Sequence, residues 1–297
     1  MADDAVFSER YKKRLLEVFR RAIGFLEEHH VKWLAAGGTC LGAVRHHGII
    51  PWDDDVDIFV LRDDYERLFT LRGQMEPYGL EMESIEDGGG YYNGFIKIFD
   101  RQTTLWERKE FEHIIGIYID VFPLERSDIS LEEYLEARSL YREKMRQYLN
   151  GICKTSAADL WHLVRGAHCR TFYDQLKNLL TRHDKRREYE EFVQSTRQIA
   201  YNPNGSHLMV PTGSYAERDY WPAEWFTEII DMPFADFTVK VPAGYDGQMR
   251  LLYGDYMQYP PKEKQVSHHF HYYCNFKERL SLDEVKERMR GGESIVY

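Results

Sequence analysis

The sequence predicts an α/β protein, and three observations carry that prediction. Residues 8–29 repeat apolar side chains every three to four positions, as one face of a helix does. Val56, Ile58 and Val60 alternate with Asp55, Asp57 and Phe59 at the period of a strand. Beyond them the chain keeps switching between the two periods without long tracts of low complexity.

The bounds set by composition are broad. The 297 residues allow one large domain, or a domain with an appended subdomain. A 43% hydrophobic and 30% charged composition is ordinary for a soluble globular protein. The formal charge of −10 argues against nonspecific nucleic-acid binding, which rewards a surplus of Lys and Arg. The opening Met1-Ala-Asp-Asp-Ala lacks the basic-then-apolar layout of a signal peptide, and no run of about eighteen apolar residues suggests a membrane span. Cys40, Cys153, Cys169 and Cys274 lie far apart without a CxxC pair, so reduced cytoplasmic thiols are expected, with neither a disulfide framework nor a zinc site.

The first helix, 8–29, has Ser8 as its candidate N-cap and buries Tyr11, Leu15, Val18, Phe19, Ala22 and Leu26. An apolar strand from Val31 then stops at Gly37-Gly38. Glycines at such a turn let backbone N–H groups approach a phosphate, and the helix start that follows favours an anion. The helix-like run ends at Arg45, and Trp52 precedes four carboxylates within five positions, Asp53, Asp54, Asp55 and Asp57. Asp55 and Asp57 share one face of the ensuing strand and repel each other unless a cation lies between them. Oxygen donors of this kind suit Mg²⁺, which takes one or two carboxylates plus phosphate oxygens. Taken singly, the acidic triplet reads as a charged turn. Joined to the glycine bend, it points to phosphoryl or nucleotidyl transfer.

Asp63 and Asp64 open the next helix and read as dipole-matched first-turn acids. Over Tyr91–Asp100 a strand places Phe95 and Lys97 on one face, where Lys97 either meets a phosphate or snorkels to solvent. In Ile114–Phe122, Ile115, Ile117, Ile119 and Val121 take one face and Tyr118 and Asp120 the other. A carboxylate there requires a cation or a hydrogen-bond partner. Pro123 is expected to end the strand. Ser130 and Glu133 form a capping box for a helix to about Leu149, and further helices follow from Asp159 to about Arg197, with Lys185-Arg186-Arg187 on a solvated face. A loop over 201–206 leads to an aromatic-rich part containing Trp221, Trp225, Phe226, Phe234 and Phe237, and a hairpin near Phe234–Val241. Asp255 follows a helix that ends near Tyr253. His268, His269 and His271 lack the spacing of a metal site on a defined element and read as surface or packing residues, with one of them free to meet a phosphate. Ser281 caps a last helix that stops at Gly291-Gly292.

Two ordered stretches resemble a known family. Ala36-Gly-Gly-Thr-Cys-Leu-Gly-Ala-Val-Arg45 with Gly48-Ile-Ile-Pro-Trp-Asp-Asp-Asp-Val-Asp-Ile58 resembles the signature of the LicD family, and Leu252-Tyr-Gly-Asp-Tyr-Met-Gln-Tyr-Pro-Pro261 resembles its C-terminal motif. The family includes bacterial phosphocholine transferases and the fukutin-related proteins. The resemblance implies a nucleotidyltransferase fold, with a mixed-sheet core over 1–128, a helical insertion over 129–200, and a C-terminal part over 201–297 closing the cleft. It also implies that Asp55, Asp57 and Asp120, the last on a neighbouring strand, hold two Mg²⁺ ions, or Mn²⁺ in their place.

On this reading Gly37, Gly38 and Thr39 position phosphate oxygens, and Arg45 stabilises developing charge or pairs with Asp53 or Asp54. Trp52 lines the pocket or wedges its turn, and Lys97, Asp255 and His268 are candidates for substrate contact. The implied donor is a CDP-alcohol, CDP-choline first, and one or two of the aromatics would line a choline pocket. The implied acceptor is a hydroxyl of a cell-surface glycan or glycolipid precursor, with CMP released. The expected place is the cytoplasm, with peripheral contact at the inner face of the membrane. Transfer of a nucleotidyl group to a small molecule or sugar is the alternative chemistry, and an inactive binding module the alternative class. The metal reading has one geometric condition: the three acids must converge, and Asp120 must not be buried against a lysine.

Overall fold

The computed structural model describes residues 2–88, 90–153, 181, 183–267 and 271–296. Helix α1 (Ala2–Glu28) starts well before Ser8, because the sequence ahead of that serine is itself compatible with a helical turn and carries acids that suit a helix start. Its expected stripe from Tyr11 to Leu26 is fully buried. It packs on one face of a mixed sheet of order β1-β2-β6-β4-β3, made of β1 (Trp33–Ala35), β2 (Asp57–Leu61), β3 (Leu80–Glu83), β4 (Ile96–Asp100) and β6 (Tyr118–Ser127). Only β2 and β6 run parallel; the other neighbours in this row are antiparallel. Ile58, Val60, Ile96, Ile98, Ile119 and Val121 are all buried. Alternation sends these residues to the α1 side and leaves Asp57, Lys97 and Asp120 on the opposite face.

Two strands depart from the sequence reading. β4 begins at Ile96, leaving Tyr91–Phe95 in the approach loop. β6 does not end at Pro123 but continues to Ser127, with Pro123 paired to Val60. The Asp120 N–H donates to the Val56 carbonyl at 2.8 Å, so residues 120, 122 and 124 point their N–H groups at β2. Pro123 therefore lacks its donor on the other side, where β4 has already run out after Val121.

Helix α2 (Gly37–His46) and helix α3 (Arg62–Leu71) flank β2. Asp64 accepts from the Lys32 N–H at 3.0 Å and pairs with Arg67, which gives it the structural role expected. Helix α4 (Leu131–Ile152) carries the expected capping box of Ser130 and Glu133. With α5 (Lys185–Ser195) it encloses a small core of Ile85, Tyr91, Tyr141, Tyr148 and Phe192. Arg186 and Arg187 pair with Glu190 and Glu191 on the solvent side. The helices expected from Asp159 onward lie outside the described residues as far as 180.

The last third extends the same architecture. β7 (His207–Met209) pairs with the far end of β6, and β8 (Tyr220–Pro222) with β7. The hairpin of β9 (Ile229–Phe234) and β10 (Phe237–Pro242) is held to α2 where the Ala235 N–H donates to the His47 carbonyl at 2.6 Å. Helix α6 (Tyr245–Tyr253) follows. β5 (Thr104–Trp106) leaves the main sheet to pair with β11 (Tyr273–Asn275). The final helix, Leu282–Arg290, is capped by Ser281 and Glu284 and stops at Gly291, as its sequence indicates. Among the described residues no helix is long and apolar enough to cross a membrane.

A buried ion pair ties α3 to the middle of β6. The Arg62 Nε donates to Glu125 Oε1 at 2.8 Å and its Nη2 to the Thr196 carbonyl at 2.9 Å. Both side chains are buried, and Arg62 also pairs with Glu66 at 3.1 Å, so removing Glu125 takes away the buried one of its two carboxylates. Glu125→Ala should cost about 3–5 kcal/mol of folding stability, read as a lowered urea midpoint, and a change within error would show that water enters to solvate Arg62.

Candidate active site

The site begins with a backbone clasp. Ala36 donates its N–H to the Asp57 carbonyl at 3.0 Å, and the Asp57 N–H donates to the Thr39 hydroxyl at 2.8 Å. The start of α2 is thereby pinned to the first residue of β2. Gly37 has φ +44°, in the left-handed region that favours glycine, and its pro-side-chain position points at Asp57: a Cβ there would lie 3.7 Å from Asp57 Oδ2 and 3.5 Å from the Tyr253 hydroxyl. Thr39 is buried, and its oxygen serves as the acceptor for β2. Ala36 supplies no side-chain cap, so the first turn of α2 presents its amides at this end of the clasp.

The four acids of the turn separate into different tasks. Asp53 stands against Gly38, where a Cβ would come within 2.7 Å of its Oδ2. A carboxylate thus lies beside the helix start at which a phosphate was expected. Asp54 accepts from the Ser267 hydroxyl at 2.5 Å. Asp55 precedes β2 and is not part of its ladder, although it faces the same space as Asp57. Asp57 lies directly opposite Asp120 on β6, and Asp120 directly opposite Lys97 on β4, so the three side chains form one row across three strands.

Asp120 departs from the geometry the metal triad requires. The Lys97 Nζ lies 2.9 Å from Asp120 Oδ1 and 3.6 Å from Glu107 Oε2, and Lys97 is 3% exposed. Lysine snorkelling is therefore replaced by a buried ion pair, further enclosed by the Tyr118 ring beneath the ammonium. Glu107 also accepts from the hydroxyls of Tyr92, at 2.9 Å, and Tyr118. Among the described residues, no three Asp, Glu, His or Cys side chains are arranged to hold one metal ion. A single ion shared by all three acids does not fit this arrangement. A divalent ion on Asp55 and Asp57 does fit the donor chemistry. Burial, and then the charges of Asp55, Asp120 and Asp53, hold the Asp57 carboxyl well above the usual carboxylate range, which leaves negative charge for a cation to neutralise. Burial pushes Asp120 up to about 6, with Lys97 opposing the shift.

Asp55, Asp57 and Tyr215 lie where two cavities meet. One, of 660 Å³, is also lined by Asp120, Phe95, Phe122, Arg108 and Arg142. The other, of 550 Å³, is lined by Gly38, Arg45, Trp52, Asp255 and three tyrosines, Tyr253, Tyr256 and Tyr259. Arg45 does not pair with Asp53 or Asp54. Placed in the last turn of α2, its guanidinium donates to the carbonyls of Tyr256, at 2.5 Å, and Gln258, at 3.2 Å, and packs over Trp52 and Tyr259. Trp52 lines the cavity with a ring face toward His46 and Tyr259. Asp255, exposed, accepts from the Gln258 amide at 2.5 Å and shapes this loop.

Trp221 and Phe234 are fully buried, in line with a core role for most aromatics of 221–237, and Phe226 faces a different cavity. The rings beside the acids come from the turn before β2, from α6 and its following loop, and from Phe95, Phe122 and Tyr215. The Tyr215 and Tyr253 hydroxyls are 3.2 Å apart over Asp57, and burial raises both phenols above their ordinary range. Tyr253 was within reach of sequence reading, since it begins the Tyr-Gly-Asp-Tyr motif; Tyr215, Glu107 and Arg142 carried no signal. Lys97 is consumed by Asp120, His271 packs on Phe7 and Tyr11, and His268 lies outside the described residues.

A mixed sheet carries an acid pair at the start of a parallel strand, beneath a helix entered through glycine. Residues 30–162 match the sequence profile of the LicD/FKTN/FKRP nucleotidyltransferase domain, and over that stretch the chain is similar to the LicD family. It is 28% identical over 258 residues to the lipopolysaccharide cholinephosphotransferase LicD of Haemophilus influenzae, spanning 82% of this chain and 88% of that protein. Shorter matches are 43% identity over 61 residues with the human ribitol 5-phosphate transferase FKRP, covering 20% of this chain and 12% of the relative, and 36% over 64 residues with the mouse ribitol-5-phosphate transferase FKTN, covering 22% and 14%. These relatives make the family one of phospho-alcohol transferases.

Charge balance in the strand row yields a paired expectation. Lys97→Met removes the cation beside Asp120 and should lower stability by about 3–5 kcal/mol. Asp57→Asn removes one of the mutually repelling charges and should raise the melting temperature in metal-free buffer, with the gain shrinking as pH falls and the wild-type Asp57 protonates. Melting curves at pH 7.5 and pH 5 check both, and a destabilising Asp57→Asn would contradict the reading of Asp57 as charge-strained.

Proposed function

We propose that this protein transfers phosphocholine from CDP-choline to a hydroxyl of a cell-surface glycan precursor and releases CMP. The observation that carries the reading is the placement of Asp55 and Asp57 at the junction of two unlike cavities. The smaller is aromatic and acidic, and its tyrosines, Trp52 and carboxylates suit a quaternary ammonium by cation–π attraction and charge. The larger carries arginines and the Asp120 carboxylate, which suits a polar acceptor. The phosphorus to be attacked then lies between them, beside the two acids. The long match to the Haemophilus influenzae cholinephosphotransferase supports choline as the alcohol.

Asp55 and Asp57 would hold a Mg²⁺ ion, completed by phosphate oxygens of the donor, whose chemistry is to neutralise charge on the diphosphate and stabilise the leaving CMP. The chain's own residues do the rest. The first-turn amides of α2 and the glycine bend orient phosphate oxygens. Asp120 faces the acceptor cavity, and its raised pKa lies close to working pH, which suits a group that takes the acceptor's hydroxyl proton. Lys97 keeps that carboxylate charged between turnovers despite its burial. The acceptor oxygen forms the new bond to phosphorus as the bond from phosphorus to the bridging oxygen breaks. CMP leaves with that oxygen, and the proton resides on Asp120.

The test is Mg²⁺-dependent CMP release from CDP-choline with a glycan acceptor. Asp55→Asn and Asp57→Asn should each lower the rate by about three orders of magnitude, the scale set by losing a preorganised electrostatic group, while remaining folded by circular dichroism. Wild-type turnover in these variants, or incorporation of adenylate or uridylate in place of CMP release, would overturn the reading. A raised melting temperature with cytidine nucleotides and Mg²⁺, but not with other nucleotides, is the binding counterpart.

A further inference from the structure

One face of α4 carries arginines that form no close ion pair among the described residues. Arg138, Arg142 and Arg146 recur every four residues, which stacks them along a single stripe about 6 Å apart. Among the described residues none of the three forms an ion pair, in a protein with a formal charge of −10 where most other arginines do. Arg138 and Arg142 each donate to the Gly213 carbonyl, at 3.1 Å and 2.7 Å. The carboxylate facing those two is Asp219, which their charges and that of Arg218 stabilise and whose Oδ2 also accepts from the Tyr215 N–H at 2.7 Å. Arg146 is exposed, and among the described residues its side chain makes no hydrogen bond. Glu143, also exposed, is the acid that shares its surface.

This stripe continues the active site. Arg142 lines the carboxylate cavity beside Asp55, Asp57 and Asp120. A second hollow of 640 Å³ adjoins it, sharing Arg108, Arg142, Met145 and Leu149 and adding Arg146. The Arg108 guanidinium lies 4.7 Å from the Phe111 ring centre, which braces it at the mouth, and pairs with Glu110 at 2.8 Å. Arg146 does not line the carboxylate cavity, so an anion resting on it lies one helical turn or more outward from the reacting phosphorus.

We propose that this trough over α4 receives an acceptor that carries its own anionic group, a phosphorylated sugar or polyol, with Arg142 and Arg146 on the anion and the accepting hydroxyl directed inward to Asp120. The proposal rests on the transferase reading of the same site and names the class of its second substrate. A donor diphosphate is the wrong occupant for Arg146, because the acids that define the transfer point are in the other hollow. Guanidinium groups outside close ion pairs and spaced along a rigid helix are suited to phosphate oxygens.

Titration calorimetry with N-acetylglucosamine 6-phosphate, and with N-acetylglucosamine as its uncharged control, tests this on the full chain. The phosphorylated sugar should bind at least tenfold more tightly at low salt, and the advantage should shrink as salt is raised. Arg146→Gln, which removes no contact of the fold, should abolish most of that advantage and leave the cytidine-nucleotide melting shift unchanged. Arg142→Lys should retain part of it, whereas a purely structural role through Gly213 would leave sugar binding as in the wild type. Equal affinity for the two sugars overturns the proposal. So does an Arg146→Gln variant that binds the phosphorylated sugar normally, or one that loses the cytidine shift instead, which would assign the stripe to the donor. Arg146-dependent sugar-phosphate binding without any cytidine binding would uphold the anion site and fail the transferase reading alone.

Discussion

Two carboxylates in register on adjacent parallel strands, with one ammonium to serve them, set the terms for the rest of this protein. The β2–β6 ladder leaves Asp57 and Asp120 no freedom to part, since side chains directly opposite on one face stand about 5 Å apart. Lys97 completes the row from β4 and settles on Asp120, not between the two acids. Asp57 is the member left without a counter-charge of its own. The surrounding construction follows from this imbalance: the Thr39 clasp that fixes its backbone, the glycine that keeps the overhead space clear, and the two phenols that close over it. A protein selected for stability alone would have neutralised that position. Holding an acid there against the pull of burial and of its neighbours stores strain at the site and is not explained by stability.

Much of this was legible in the sequence, for reasons tied to particular residues. The alternation around Val56–Val60 and Ile115–Val121 was unambiguous, and it correctly put Asp57 and Asp120 opposite the aliphatic face of their strands. Capping boxes at Ser130 and Ser281 marked helix starts because their chemistry is local to four residues. Pro123 misled, because a missing donor ends a strand only if that side of the ladder is occupied. Lys97 was undecided because periodicity gives a face and not a partner; the Glu107 that helps to hold it comes from a neighbouring strand's end. Arg45 was read as stabilising developing charge or pairing with Asp53 or Asp54, whereas its helix directs it to carbonyls more than two hundred residues away.

The same limit explains the cavity walls. Aromatic content in 221–237 was evident, but content does not separate core from lining, and Trp221 and Phe234 went to the core. Rings that do face the acids sit in short motifs around Trp52 and Tyr253–Tyr259, where the chain turns at the edge of the core. Tyr215 reaches Asp57 through the loop that Arg138 and Arg142 hold by one carbonyl, an arrangement with no period to detect.

The bond from Arg45 to the carbonyls of Tyr256 and Gln258 has a consequence for how the protein comes into being. The acidic turn is synthesised early, yet its aromatic roof is encoded some two hundred residues later. Closing so wide a loop costs entropy that only the finished sheet can offset. A ribosome-bound fragment therefore carries the acidic turn in an open, solvent-washed form, and the cavity around it is completed late, when the C-terminal portion folds down over it.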